Sequence, residues 1–269
     1  MKIHYFCYMK EQSPAISISD LSIGYKSTGG REKIVAENLN GRLNNGTMTC
    51  LLGPNGAGKS TLLRTLAGFQ PALAGEISIM GNDALTISRQ EKARLLGVVL
   101  TDRISLENTS VGELIALGRS PFTGFWGKLS DNDLAEVRQA AEMIGIVHLL
   151  DRRVGSLSDG ERQKVMIAKV LAQKTPVIFL DEPTAFLDYP GKVDVMRLLR
   201  NLAHDEGKTI FMSTHDLEIA LRITDNVWLL DQRHGLTTGS PESLASSGLY
   251  RDYFRLPAEF DPFPACLKG

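Results

Sequence analysis

Nine consecutive residues, Gly53-Pro54-Asn55-Gly56-Ala57-Gly58-Lys59-Ser60-Thr61, have the types and spacing that suit a phosphate ester. They match G-x-x-x-x-G-K-[ST]. The glycines reach backbone conformations closed to other residues. Their N–H groups can therefore turn inward around phosphate oxygens at the positive end of a helix. In this pattern Lys59 reaches the β- and γ-phosphates and the Ser60 hydroxyl ligates Mg²⁺. The bland alternative is a chance glycine-rich turn. The apolar run before the loop and the helical pattern after it argue against that.

Val177-Ile-Phe-Leu-Asp181-Glu182-Pro183 is an apolar run ending in two carboxylates. A metal–nucleotide site needs acidic groups on the strand beside its phosphate loop: Asp181 would hold the metal, and Glu182 would polarise a water beyond the γ-phosphate. Strands often end in an ordinary solvated Asp, but a phosphate loop in the same chain shifts the weight towards chemistry. In Leu157-Ser158-Asp159-Gly160-Glu161-Arg162-Gln163, Ser158 is a good helix N-cap. A Ser and a Gly at a helix start make a second anion site. Taken alone, this segment is no more than a capped helix.

These groups need a scaffold. Met48–Leu52 reads as a buried strand ahead of the loop, and Leu62, Leu63, Leu66 and Ala67 recur at helical spacing after it, with Gly68 as the stop. The runs 177–180 and 209–213 are of the parallel-strand type. Ile16, Ile18, Leu21 and Ile23 alternate with a slip near Asp20, which predicts an edge-type strand with a bulge. Ile77 and Ile79 precede a turn at Gly81-Asn82, residues 26–33 read as a loop, and 227–230 reads as a strand entering a turn at 233–235. From about 91 to 173 helical periodicity dominates. There Leu134, Val137, Ala141 and Ile144 share a face, Ser130 with Asp133 forms a capping-box start, and Gly145 is the stop.

The composition is that of a folded protein, with 269 residues, 43% hydrophobic and 23% charged, and it excludes intrinsic disorder. With 30 basic and 31 acidic residues the net charge is −1, so no global basic field points to nucleic acid. No apolar run approaches the roughly 18 residues needed to span a bilayer. The N-terminal segment lacks a cleavable-signal pattern, and the expected location is the cytoplasm. Cys7, Cys50 and Cys266 have no metal-ligand spacing and read as free thiols.

Together the phosphate loop, the LSDGE segment at 157–161, the acidic strand end, Ala185-Phe-Leu-Asp188 and His215 resemble the ATP-binding subunit of ATP-binding-cassette (ABC) transporters over about residues 16–245. The resemblance implies an α/β fold: a P-loop NTPase core with a mostly parallel sheet, an antiparallel β subdomain and an inserted helical subdomain. It divides the chain into an extension (1–14), one ATPase domain (15–245) and a tail (246–269). The domain consists of core segments 15–92 and 174–245 around a helical part at about 93–173. It implies ATP and Mg²⁺ as ligands. Tyr25 corresponds to the aromatic that stacks on adenine. Ser158 and Gly160 correspond to the pair that contacts the γ-phosphate held by the opposite subunit, and Asp188 to the residue linking the two sites. His215 corresponds to a switch histidine placed to hydrogen-bond the γ-phosphate and the water of Glu182. A homodimer would sandwich two ATP molecules. It would energise separate permease subunits at the cytoplasmic face of the membrane, with a substrate-binding protein as an indirect partner. The stretch Val111-Gly-Glu-Leu-Ile-Ala-Leu-Gly-Arg119-Ser-Pro121-Phe122 resembles importers of iron–siderophore, haem or cobalamin complexes, in the segment that faces the permease. The alternatives are an exporter subunit and, with less weight, a non-transport ABC ATPase.

Two positions depart from the family pattern. Asp159 stands where the signature usually has Gly. It is expected to point away from phosphate, leaving Ser158 and backbone N–H groups to bind. Thr101, followed by Asp102, stands where a glutamine usually touches Mg²⁺ or water. Either one of them supplies the oxygen donor, or the contact is missing and hydrolysis is slower or more dependent on partners.

Overall fold

The computed structural model describes residues 13–26, 32–100, 108–124, 127–255 and 257. Two sheets face each other. The first has four strands, β1 (Ile16–Lys26), β2 (Glu32–Leu43), β4 (Ala74–Ile79) and β5 (Asn82–Asp83), in the order β2-β1-β4-β5. All of its pairings are antiparallel. The second has six strands, β3 (Met48–Leu52), β6 (Leu96–Val99), β7 (Val177–Asp181), β8 (Thr209–Ser213), β9 (Asn226–Asp231) and β10 (Gly235–Gly239), in the order β10-β9-β3-β8-β7-β6. It is parallel except for the β9–β10 hairpin.

The helices are α1 (Lys59–Leu66), α2 (Arg89–Leu95), α3 (Val111–Ala116), α4 (Asp131–Met143), α5 (Asp159–Ala172), α6 (Tyr189–His204), α7 (Leu217–Ile223), α8 (Pro241–Ser246) and α9 (Leu249–Phe254). Strand periodicity splits the core into two clusters. Cys50, Leu52, Ile178, Leu180, Ile210 and Met212 point to one face, with Leu199 and Leu202 of α6 and Val165 and Ala168 of α5. Leu51, Phe179, Phe211 and Trp228 point to the other, with Leu62, Leu63 and Leu66 of α1 and the inner residues of β1. The rings of Phe179, Phe211 and Trp228 form an edge-to-face series at 5.4 and 5.0 Å. Gly41 lets β2 approach this series, because a Cβ there would lie 2.8 Å from the Trp228 indole.

Several sequence expectations change. β1 is an interior strand paired by β2 and β4, not an edge. The slip near Asp20 is real: its φ is +47° and the register shifts on both sides of the strand. β2 escaped notice because its buried positions are irregularly spaced, and the expected loop is strand at Lys26, Glu32 and Lys33. β6 lies in the parallel sheet beside β7, so the core runs through Val99 rather than stopping at 92. Leu134 is exposed, and α4 buries Val137, Ala140 and Ala141 instead. The tail is structured as far as α9, whose Tyr250 and Tyr253 are buried in the core. The stops at Gly68 and Gly145 hold, with φ of +77° and +73° after α1 and α4. Among the described residues no helix is long and apolar enough to cross a membrane.

Candidate active site

The phosphate loop joins the buried end of β3 to α1. Gly58 takes φ +103°, and a Cβ there would come within 2.6 Å of the Val35 side chain. Gly53 is equally constrained, since a Cβ would stand 2.2 Å from the Leu230 carbonyl oxygen. Side-chain acceptors cap α2, α3, α4, α5, α6 and α8. No side chain caps α7, α9 or, at the phosphate loop, α1. Its first N–H groups therefore face the loop without a side-chain acceptor, as an anion site requires. Lys59 is buried, and its ammonium donates to the carbonyls of Gly53 (2.7 Å) and Pro54 (3.2 Å). Burial pushes its pKa down, opposed by the negative charges of Glu182 and Asp181.

The acidic pair is placed by strand register. Asp181 lies opposite Ser213 across β7 and β8. The Ser213 hydroxyl donates to Asp181 Oδ1 at 2.6 Å and accepts from the Glu182 N–H at 3.0 Å. Glu182 has φ +51°, the left-handed region that costs a non-glycine residue about 1–3 kcal/mol. That turn brings its carboxylate onto Nε2 of His215, just past the end of β8. The residue expected to act on water is thus one of six non-glycine residues, among those described, held at positive φ.

Tyr25 closes the other end. Its hydroxyl lies 2.9 Å from Thr61 Oγ1, while the residue stays half exposed. A cleft of about 360 Å³ unites Tyr25, Asn55, Gly56, Gly58, Lys59, Ser60, Thr61, Glu182 and His215. Gly53, Pro54 and Ala57 form the rest of the loop, and Asp181 is buried. Ser158, Gly160 and Asp188 do not line the cleft. Ser158 caps α5 in a reciprocal box with Glu161, and Asp188 caps α6 through the Gly191 N–H at 3.1 Å. Asp159 is the exposed first residue of α5. Thr101 and Asp102 lie outside the described residues.

Sequence reading missed Lys33, Ile34 and Val35, which line the cleft beside Tyr25, and Gln232, whose amide donates to the Gly56 carbonyl at 3.0 Å. The β1–β2 register that places Lys33 beside Tyr25 has no sequence signature. Gln232 sits in a hairpin turn that reads only as polar.

The family model of the ABC transporter matches residues 36–185. The chain belongs to the ABC transporter ATPase family. This cassette is 36% identical to the achromobactin transport ATP-binding protein of Dickeya dadantii, over 94% of each chain. It is 31% identical to the iron(3+)-hydroxamate import ATP-binding protein of Bacillus subtilis, again over 94% of each. Among solved structures it resembles a chain of a metal-chelate type ABC transporter in an inward-facing conformation. The TM-score is 0.77, with 29% identity over 91% of this cassette and 90% of that chain. As a member of the family the cassette binds ATP and hydrolyses it for a transporter.

Proposed function

We propose that this cassette hydrolyses ATP in the cleft between Tyr25 and His215, as one of two identical subunits driving import of an iron–siderophore, haem or cobalamin complex. The observation that carries this reading is the contact of the His215 imidazole with Glu182, in the same cleft as Lys59 and the phosphate loop. The Tyr25 ring stacks on adenine. The loop N–H groups and Lys59 hold the phosphates. The Glu182 carboxylate takes up the proton of the attacking water, and His215 orients both that carboxylate and the γ-phosphate.

Mg²⁺ fits the donors present. Ser60 and Asp181 offer hard oxygens, and Ser213 holds Asp181 in place through one carboxylate oxygen. Among the described residues no three His, Cys, Asp or Glu side chains cluster as a metal site in themselves, so the ion would enter with the triphosphate. When bound, it neutralises charge on the β- and γ-phosphates.

The cleft is open to solvent on one side, and Ser158 and Gly160 stand elsewhere on the chain. In a head-to-tail dimer the partner's copy of this segment closes each cleft, with Asp188 near the join. ATP then acts as a ligand that favours the closed dimer, and hydrolysis removes that bias. The permease subunits hold the cassette at the cytoplasmic face of the membrane, and cargo reaches them from a substrate-binding protein. The import direction is supported by the names of the relatives. An ATPase assay with and without the co-purifying permease tests the reading. Turnover lost in Lys59→Ala and stimulated by the permease is expected. Wild-type turnover in Lys59→Ala would overturn it.

A further inference from the structure

The start of α5 brings Ser158 and Gly160 together with two carboxylates, Asp159 and Glu161. A triphosphate bound in the other copy would meet that negative charge as well as the positive helix end. Asp159 is exposed to water. Glu161 is drawn in by Ser158: its Oε2 accepts from the Ser158 N–H at 2.8 Å and from the Ser158 hydroxyl at 3.0 Å. A serine hydroxyl has one proton to donate, and here Glu161 holds it. These bonds, with a smaller share from Arg152, keep the Glu161 carboxyl below its usual range, so it stands there as a full negative charge.

Arg152 takes the other carboxylate oxygen. Its Nη1 donates to Glu161 Oε1 at 3.1 Å, and its Nη2 donates to the Ser156 carbonyl at 2.8 Å. The cap does not require this cation. Glu91 and Glu113 close the same reciprocal box on α2 and α3 with no ion pair among the described residues. In α4 the boxed carboxylate does have an arginine, but there Asp133 is buried and Arg119 offsets the loss of water. The Glu161 side chain keeps 32% of its exposure, so burial does not call for Arg152. Arg162, next in the chain, pairs with neither carboxylate.

We propose that Arg152 is a positioning residue for ATP-driven dimer formation: by neutralising Glu161 it lets the Ser158 hydroxyl turn its proton from that carboxylate to the γ-phosphate held by the other copy. The proposal rests on the head-to-tail reading above and adds the residue that makes an acidic helix start accept an anion.

The test measures dimer formation by a Glu182→Gln parent with Mg²⁺ and ATP, by sedimentation at graded protein concentration. An exposed ion pair shifts an equilibrium roughly threefold, and a head-to-tail dimer holds two of them, so adding Arg152→Gln should weaken the dimer roughly tenfold. Single-chain binding of a fluorescent ATP analogue should stay at the parent level. Glu161→Gln removes the charge but keeps an amide oxygen for the capping box. Added to the Arg152→Gln chain, it should return the dimer to within twofold of the parent, because no charge is left to neutralise. An Arg152 that only braces the turn at Ser156 would show no such rescue. Added to the parent alone, Glu161→Gln should tighten the dimer at least twofold, a result that does not depend on how well the Arg152→Gln chain folds. A dimer within twofold of the parent in Arg152→Gln, no rescue in the double variant, or no tightening in Glu161→Gln would each overturn the proposal. A parent that binds ATP and stays monomeric overturns the dimer reading and this proposal with it. A parent that dimerises without responding to these changes overturns the proposal alone.

Discussion

Single residues set the geometry of the phosphate loop, and two of them give sharp tests. Gly58 combines φ +103° with a Val35 methyl group 2.6 Å from where a Cβ would stand. Gly58→Ala must move the loop or β2, and backbone strain of this kind amounts to about 1–3 kcal/mol, so ATP affinity should fall roughly tenfold or more. Titration with a fluorescent ATP analogue measures it. Gln232 holds the loop from outside through the Gly56 carbonyl. A neutral hydrogen bond is worth about 0.5–1.5 kcal/mol, so Gln232→Ala should raise KM for ATP about two- to tenfold and leave kcat near wild type. A fall in kcat with unchanged KM would assign Gln232 to the chemistry instead. The glycines and Lys59 were legible in the sequence because their types are dictated by phosphate geometry. Gln232 and Val35 were not, because any residue with an amide or a small apolar group would satisfy those contacts.

At the scale of elements, four helices, α2, α3, α4 and α5, start on reciprocal caps. In α4 the Ser130 hydroxyl and N–H both donate to Asp133, and Arg119 adds its guanidinium. These bonds, those from Ser130 foremost, hold the Asp133 carboxyl down at about 2, against an ordinary value of 3.8. Glu91, Glu113 and Glu161 are lowered in the same way by Ser88, Ser110 and Ser158. A carboxylate with a lowered folded-state pKa stabilises fully above its unfolded pKa, and the contribution disappears as pH falls through the folded value. For Asp133 the loss therefore spans about pH 4 down to about pH 2. Asp133→Asn should flatten the fall of Tm across that window, as read by circular dichroism. An unchanged slope would show that the cap does not carry the titration. In the core, Phe211→Ala removes the middle ring of the Phe179–Phe211–Trp228 series and should cost about 3–5 kcal/mol in urea unfolding.

The capping box of α4, the N-cap of α5 and the strands around the loop could be read directly, since local hydrogen bonding and burial on both faces leave a pattern. The antiparallel sheet resisted. β2 buries residues at uneven spacing along twelve positions, so its pairing with β1 is decided by the sheet it packs on. β6 resisted for a different reason. Four apolar residues that directly follow α2 look like more helix, and only pairing with β7 makes them strand.

At the scale of the whole molecule, the helical segment and the core divide the labour. The core brings Lys59, Asp181, Glu182 and His215 together, while Ser158 and Gly160 lie at the start of α5, outside that cleft. On the proposed reading one chain holds two half-sites, and two chains complete both. The most direct test of this account is the mass of Glu182→Gln by sedimentation with and without Mg²⁺ and ATP. A monomer of 29.5 kDa is expected without nucleotide and a stable species of twice that mass with ATP, because binding is kept and hydrolysis is blocked. A variant that binds ATP and sediments only as a monomer would contradict it.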